Sequence, residues 1–437
     1  MFSYYLGLAL RSLKRNVALT ALMIAAIGVG IGASMTVFTV LRAMSSDPIP
    51  AKSSQLFEPL IDNWGPDRIS GGPTLDDRHE VSYRDALAWM QAQRGAKQAA
   101  MYGVAFSVMP TLSDAKPFPV DGRAAATDFF PMFAVPFRSG GPWSRADDDA
   151  RANVVVISSK LADRLFPHRD AVGETINLDQ HDYRIVGVIG NWNPVPRYYD
   201  VTNDPYAEPE DVFLPFSTAI AQQRALNGNN NCNTESAPGW EGHLNSECIW
   251  IEYWVELPTA AAVRDYRQYL ASYAADQKRS GRFNWEAQTA LYDVPAWLAR
   301  EKVVPSEIRV STLVAGGCLL VCLVNSVGLM LAKLSGRANE LGVRRALGAS
   351  KAAIFLQCVV ESAVVGLAGG LLGLILTKVG LSIERTILSD DIARLAHLNS
   401  GAILITLSLS VLVTVLSGLY PSWRASRVQP AWQLKAQ

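Results

Sequence analysis

The sequence contains no Gly-Lys-Ser or Gly-Lys-Thr anywhere in its 437 residues. The glycine-rich loop that cradles nucleotide phosphates therefore has no candidate in this chain. Gly-x-Ser-x-Gly and His-Glu-x-x-His are missing too, which removes the common nucleophile elbow and zinc helix. Histidine is scarce: the five residues, 79, 168, 181, 243 and 397, are scattered through polar surroundings. Asp147-Asp148-Asp149 lacks the further spaced oxygen ligands of a calcium loop and reads as a solvated turn. Charged residues make up only 18% of the chain against 49% hydrophobic. With a mean hydropathy of +0.11, the chain is too apolar for an ordinary soluble protein of this size. These absences predict a chain that is not an enzyme, carries no cofactor or metal, and has no basic tract for nucleic acid.

What charge there is avoids four stretches: residues 17–41, 311–332, 352–377 with Glu361 as the exception, and 398–423. Each exceeds the roughly 20 residues that a helix needs to cross a hydrocarbon core. The first is also longer than the apolar core of a cleaved leader, about 7–15 residues, and reads as a retained anchor. Arg11, Lys14 and Arg15 precede the first stretch. Lys333, Arg337, Arg344, Arg345 and Lys351 lie between the second and third, and Arg424, Arg427 and Lys435 follow the fourth, with Glu340 the one acid among these segments. Short basic loops stay in the cytoplasm, so both termini and the middle loop are expected there.

The expected division is an amphipathic cytoplasmic helix over 1–16, built on Phe2, Leu6, Leu10 and Leu13, and a first span over 17–41. An extracytoplasmic domain over 42–306 follows, then a second span with a stalk over 307–333 and a cytoplasmic loop over 334–351. A third span over 352–379, an extracytoplasmic connection over 380–399, a fourth span over 400–420 and a tail over 421–437 complete the chain. Gly28/Gly32, Gly366/Gly370 and Gly369/Gly373 each stand four apart. Small residues at that spacing let helix backbones approach closely.

Inside the large domain, residues 153–157, 174–178, 183–189 and 252–257 read as strands, 158–166 as a capped helix and 259–278 as a helix. The fold class is thus a membrane protein of four transmembrane helices with an α+β domain inserted after the first. Two stretches rich in Pro, Asn, Asp and Gly, 191–211 and 226–246, read as surface loops. Cys318, Cys322 and Cys358 lie in spans as buried thiols. Cys232 and Cys248 lie in the Asn/Gly loop on the oxidising side, where a bridge is expected. His243 between them makes a small metal site the alternative, though the spacing fits no common zinc pattern.

The middle loop holds Glu340, Leu341, Val343, Arg344, Arg345, Ala346 and Leu347 in a helical context ended by Gly348, with Ser350 as a cap for the third span. Such a helix suits docking into a partner's groove. On charge alone, a positive-inside linker is the simpler reading. Glu361, about 13 Å along the third span, is expected to pair with a base of this region, Arg344 or Arg345, because an isolated charge there is costly.

The run Asn339-Glu340-Leu341-Gly342-Val343-Arg344-Arg345-Ala346-Leu347-Gly348-Ala349 resembles the coupling-helix signature of MacB/FtsX-type ABC transporter permeases. Gly418-Leu419-Tyr420-Pro421-Ser422-Trp423-Arg424-Ala425-Ser426-Arg427 is similar to that family's C-terminus, with Pro421 expected to end the last span. Residues 154–190 and 211–218 resemble its periplasmic core domain. The resemblance implies a bacterial inner-membrane permease, a separate ATPase subunit in two copies that binds ATP and Mg, and a second permease, identical or related. It implies ATP-driven movement of periplasmic domains for efflux, with a periplasmic adaptor and an outer-membrane duct as further partners and membrane lipids around the spans. Lipoprotein extraction and a non-transporting receptor or scaffold are the alternatives.

Overall fold

The computed structural model describes residues 7–9, 11–12, 16–66, 75, 78–109, 116–384 and 400–426. Phe2, Leu6, Leu10 and Leu13 of the expected amphipathic helix, most of the 380–399 connection and the tail beyond Ser426 lie outside them. The chain forms two units, Met1–Ser45 with Val304–Gln437, and Ser46–Val303.

The first unit is helical. Helix α1 covers Val17–Met44, and among the described residues α10 (Ser306–Ser335), α11 (Ala338–Ala346), α12 (Lys351–Glu384) and α13 (Ser400–Ser426) follow the inserted unit. Stretches of α1, α10, α12 and α13 are long and apolar enough to cross a membrane. Met23, Ile27, Ile31 and Met35 of α1 pack with Met330 and Leu334 of α10, Leu341 of α11, and Ile354, Cys358 and Val365 of α12. The glycines make that packing possible. A Cβ on Gly32 would lie 2.7 Å from the Leu376 Cβ, and one on Gly369 would lie 2.7 Å from the Ile27 side chain. Gly32→Val should therefore lower the stability of this unit by about 1–3 kcal/mol through overpacking. The same change at Gly328, with nothing within 4 Å, should leave the thermal midpoint in detergent unmoved. Pro421 does not end the last span; it lies inside α13. A proline removes one backbone hydrogen bond, and a membrane helix tolerates that loss where its neighbours satisfy the freed carbonyl.

The second unit is built on an eleven-stranded mixed sheet in the order β11-β1-β10-β3-β4-β9-β6-β8-β5, with β2 on β10 and β7 bridging β3 and β8. The strands are β1 (Leu56–Ile61), β2 (Val81–Ser82), β3 (Lys97–Met109), β4 (Phe118–Ala125), β5 (Phe137–Gly140) and β6 (Val154–Ser158). They continue as β7 (Thr175–Leu178), β8 (His181–Ile189), β9 (Val212–Pro215), β10 (Ile249–Glu256) and β11 (Thr289–Asp293). The helices are α2 (Tyr83–Ala92), α3 (Phe129–Met132), α4 (Arg145–Asp149), α5 (Ser159–Leu165), α6 (Phe216–Ala221), α7 (Gly239–Leu244), α8 (Ala260–Arg279) and α9 (Val294–Arg300). The β4–β9 and β6–β8 pairs are parallel. Continuous apolar runs such as Val154–Ile157 are buried on both faces. Ser158 caps α5 through its side-chain oxygen, as its sequence position predicts, and Thr259 caps α8 in the same way.

Segment 191–211 is not a surface loop. Tyr198, Tyr199 and Asp200 are buried against the sheet, as are Arg197 and Glu210, because its tyrosines supply apolar area that its Pro and Asn content conceals. Segment 226–246 lies at the surface as expected, with only Leu244 buried, and contains α7 and an antiparallel bridge from Asn231 to Ile249.

Candidate functional site

Helix α11 is held from one side and open on the other. Leu341 is buried among α1, α10 and α12 residues. Arg337, just before the helix, binds Glu340 through Nε at 3.2 Å, and Glu340 also meets Arg344 at 3.0 Å. Gly348 ends the segment at φ +98°, a left-handed conformation that glycine adopts without strain. Ser350 Oγ then accepts from Ala353 N at 3.1 Å and caps α12. Val343, Ala346 and Leu347 remain exposed, Leu347 to 83%. An exposed leucine at this level, beside positive charge, is available to a partner's apolar groove.

Glu361 is 1% exposed and is indeed paired, but not with Arg344 or Arg345. Its partners are Lys333 Nζ at 2.7 Å and Arg337 Nη1 at 3.1 Å. Ser12 Oγ also donates to it, and Arg337 Nη1 donates to Ser12 Oγ at 2.6 Å. Lys333 and Arg337 are four apart where α10 ends, so both reach the α12 face that carries Glu361. Arg344 instead reaches Gln357 at 2.9 Å, and Arg345 reaches the Ser426 carbonyl at 3.2 Å. One buried carboxylate therefore joins the segment before α1, the end of α10, the start of α11 and α12.

In the extracytoplasmic unit, the Cys232–Cys248 bridge is present, with Cα atoms 4.2 Å apart. His243 packs on the Trp250 ring at 5.0 Å, and burial pushes its pKa down. With both sulfurs in the bridge, the metal alternative is left without its thiolate ligands. No local pattern signals a second feature, a charge network buried beneath segment 191–211. Strand alternation puts Glu252 of β10 and Arg123 of β4 on one sheet face. Arg123, fully buried, binds Asp200 and Glu210, the latter at 2.6 Å, and lies 3.5 Å from Glu252. Arg197 adds pairs to Asp200 and Glu210, both at 3.3 Å.

Two family profiles match this chain. One, described as a MacB-like periplasmic core domain, covers residues 20–272, and the other, described as an FtsX-like permease C-terminal domain, covers 312–430. The chain belongs to the MacB/FtsX-type ABC transporter permeases. Among curated relatives it is similar to the macrolide export ATP-binding/permease protein MacB of Bdellovibrio bacteriovorus, 25% identical over 67% of this chain and 40% of that protein. MacB 2 of Aeromonas hydrophila is 24% identical over 94% of this chain and 55% of its own length. The crystal structure of the periplasmic region of MacB from Actinobacillus actinomycetemcomitans is 12% identical, covering 58% of this chain and 92% of that one, at a TM-score of 0.34. The chain spans about half the length of the curated relatives it matches. As a MacB-like permease it is a multi-pass inner-membrane protein, and the α+β unit between α1 and α10 is its periplasmic domain.

Proposed function

We propose that this chain is the permease subunit of an ATP-driven export system, in which a separate ATPase, present in two copies, binds ATP and Mg and docks on α11. The observation that carries this reading is the two-sidedness of α11. Leu341 and the Arg337–Glu361 pair tie it to α10 and α12, while Val343 and Leu347 are free to enter a partner. A push on such a helix moves α10 rather than deforming the loop. Helix α10 is 30 residues long, about 45 Å, and runs without a break from Ser306 into this cluster. That length suits transmission between an ATPase and a periplasmic domain. The basic residues around α11 favour a cytoplasmic location for it and for both termini.

Helix α10 also exposes Val310, Leu313, Val314, Leu320, Val321 and Val324, a face suited to lipid and to a second permease copy. An adaptor and an outer-membrane duct would complete the export route. Export is favoured because the relatives are named for it.

Purification of the tagged full chain in mild detergent tests the docking. The native chain should retain an ATPase with measurable activity. Leu347→Asp with Val343→Asp should reduce recovery of that ATPase at least about tenfold, the loss of roughly 1.4 kcal/mol of binding, without changing the permease's thermal midpoint. Failure of the native chain to bring down any ATPase would overturn the proposal in favour of a receptor or scaffold.

A further inference from the structure

The buried charge network is not balanced by its own arginines. Among the described residues, Asp200, Glu210 and Glu252 form ion pairs with Arg123 and Arg197 alone, and Glu80 beside Asp200 adds a fourth acid to these two bases. The neighbouring elements do not correct this. Strand β1 contributes another buried acid, Glu58, and the turn after α9 contributes Glu301 beside Arg300. His79 is engaged with Glu301 at 2.6 Å and Arg78 with Asp62 at 3.0 Å. Segment 226–231 brings Asn229, which is uncharged.

Segment 191–211 is fastened through these same acids. Thr202 Oγ1 donates to Glu80 at 3.1 Å. Asn203 Nδ2 donates to Asp200 at 2.6 Å and to Glu252 at 3.4 Å. Asn229 Nδ2 donates to Glu80 at 3.2 Å, and its backbone N–H donates to Asn203 Oδ1 at 2.7 Å. Glu252 Oε2 receives no hydrogen bond among the described residues. Two negative charges in excess among buried carboxyls is an arrangement that a protein avoids by binding protons.

We propose that Glu252 and Glu80 form a proton-binding site in the periplasmic unit, and that proton release from it loosens segment 191–211 from the sheet as the external medium turns alkaline. The titration direction agrees. Burial, then the Asp200 charge, holds the Glu252 carboxyl well above its ordinary range despite Arg123. Burial holds Glu80 at about 8. Asp200 also suffers burial, but Arg123 and Arg197 outweigh it and keep that carboxyl low. The folded state thus keeps protons that the unfolded chain releases near 4.5. This contribution to stability is fully present below that value and is lost as pH rises through about 8.

Hydrogen exchange of the full chain in lipid nanodiscs, corrected for intrinsic rates, tests the site between about pH 6 and pH 9. Protection of peptides within 197–206 should fall as pH rises toward about 8, by up to about tenfold per pH unit for one released proton, and should level off above that value, where the folded-state carboxyl is itself ionised, while β6 and β8 peptides stay protected. Glu80→Gln and Glu252→Gln, which cannot ionise, should each flatten that fall. Should Glu252→Gln fail to fold, Glu80→Gln at the network's edge carries the test. Protection that does not vary with pH in the native chain, or that falls equally in the glutamine variants, would overturn the proposal.

Discussion

Arg123→Met should destabilise the periplasmic unit by about 3–5 kcal/mol, the usual consequence of removing one partner from a fully buried ion pair. Asp200 and Glu210 would keep only Arg197, which reaches each at 3.3 Å, and Glu252 would keep no cation. Methionine fills similar space, so the loss reports uncompensated charge rather than a cavity. Thermal unfolding of the full chain in detergent, followed by protease resistance of the 46–303 region, measures it. Two comparisons make the result specific. Glu252→Gln should be much milder, because burial already holds that carboxyl well above its ordinary range. The Arg123→Met deficit should also shrink toward pH 5, where the stranded carboxylates can take up protons. Equal damage at both pH values would indicate that Arg123 acts through packing on the Tyr199 ring, 5.0 Å away, and not through its charge.

The contrast between this network and the spans explains what the sequence made legible. A span is written locally, as some 20 uncharged residues in a row, and so is a cap such as Ser158. Strands β6 and β8 and the Cys232–Cys248 pair, in one polar loop, were readable for the same reason. Arg123 is different: its strand reads Phe-Pro-Val-Asp-Gly-Arg-Ala-Ala, with nothing to mark one charge as buried. Only the sheet order, which sets β3 between β4 and β10, brings it to Glu252, 129 residues away in the chain. The burial of 191–211 was hidden similarly, since Pro, Asn and Asp signal turns whether or not tyrosines anchor them. For Glu361 the need for a partner was legible from the cost of an isolated intramembrane charge. The choice of partner was not, because it depends on how α10 and α12 are rotated against each other. Lys333 in the last turn of α10 and Arg337 in the turn that follows it both reach Glu361, whereas Arg344 and Arg345 on α11 reach Gln357 and the Ser426 carbonyl.

Glu361→Gln should have the second large effect, and its value lies in separating stability from transmission. The substitution leaves Lys333, with no exposed side-chain area, beside a neutral amide, and deprives Arg337 of one of its two carboxylates. Stranding a buried cation in this way costs about 3–5 kcal/mol. The second change Lys333→Met removes the stranded ammonium and should restore most of the thermal midpoint, an interaction energy far outside the few tenths expected of independent sites. Arg337 would still keep Glu340 of α11 and Ser12, but no longer an ion pair to α12. If the pair is what ties α11 to the spans, the double variant should be stable, should still retain the ATPase through Val343 and Leu347, and should show permease-dependent ATPase activity reduced several-fold. If full activity returned along with stability, the carboxylate would be a packing element, and the tie between α11 and the spans would rest on Leu341 and on the Arg344–Gln357 and Arg345–Ser426 hydrogen bonds.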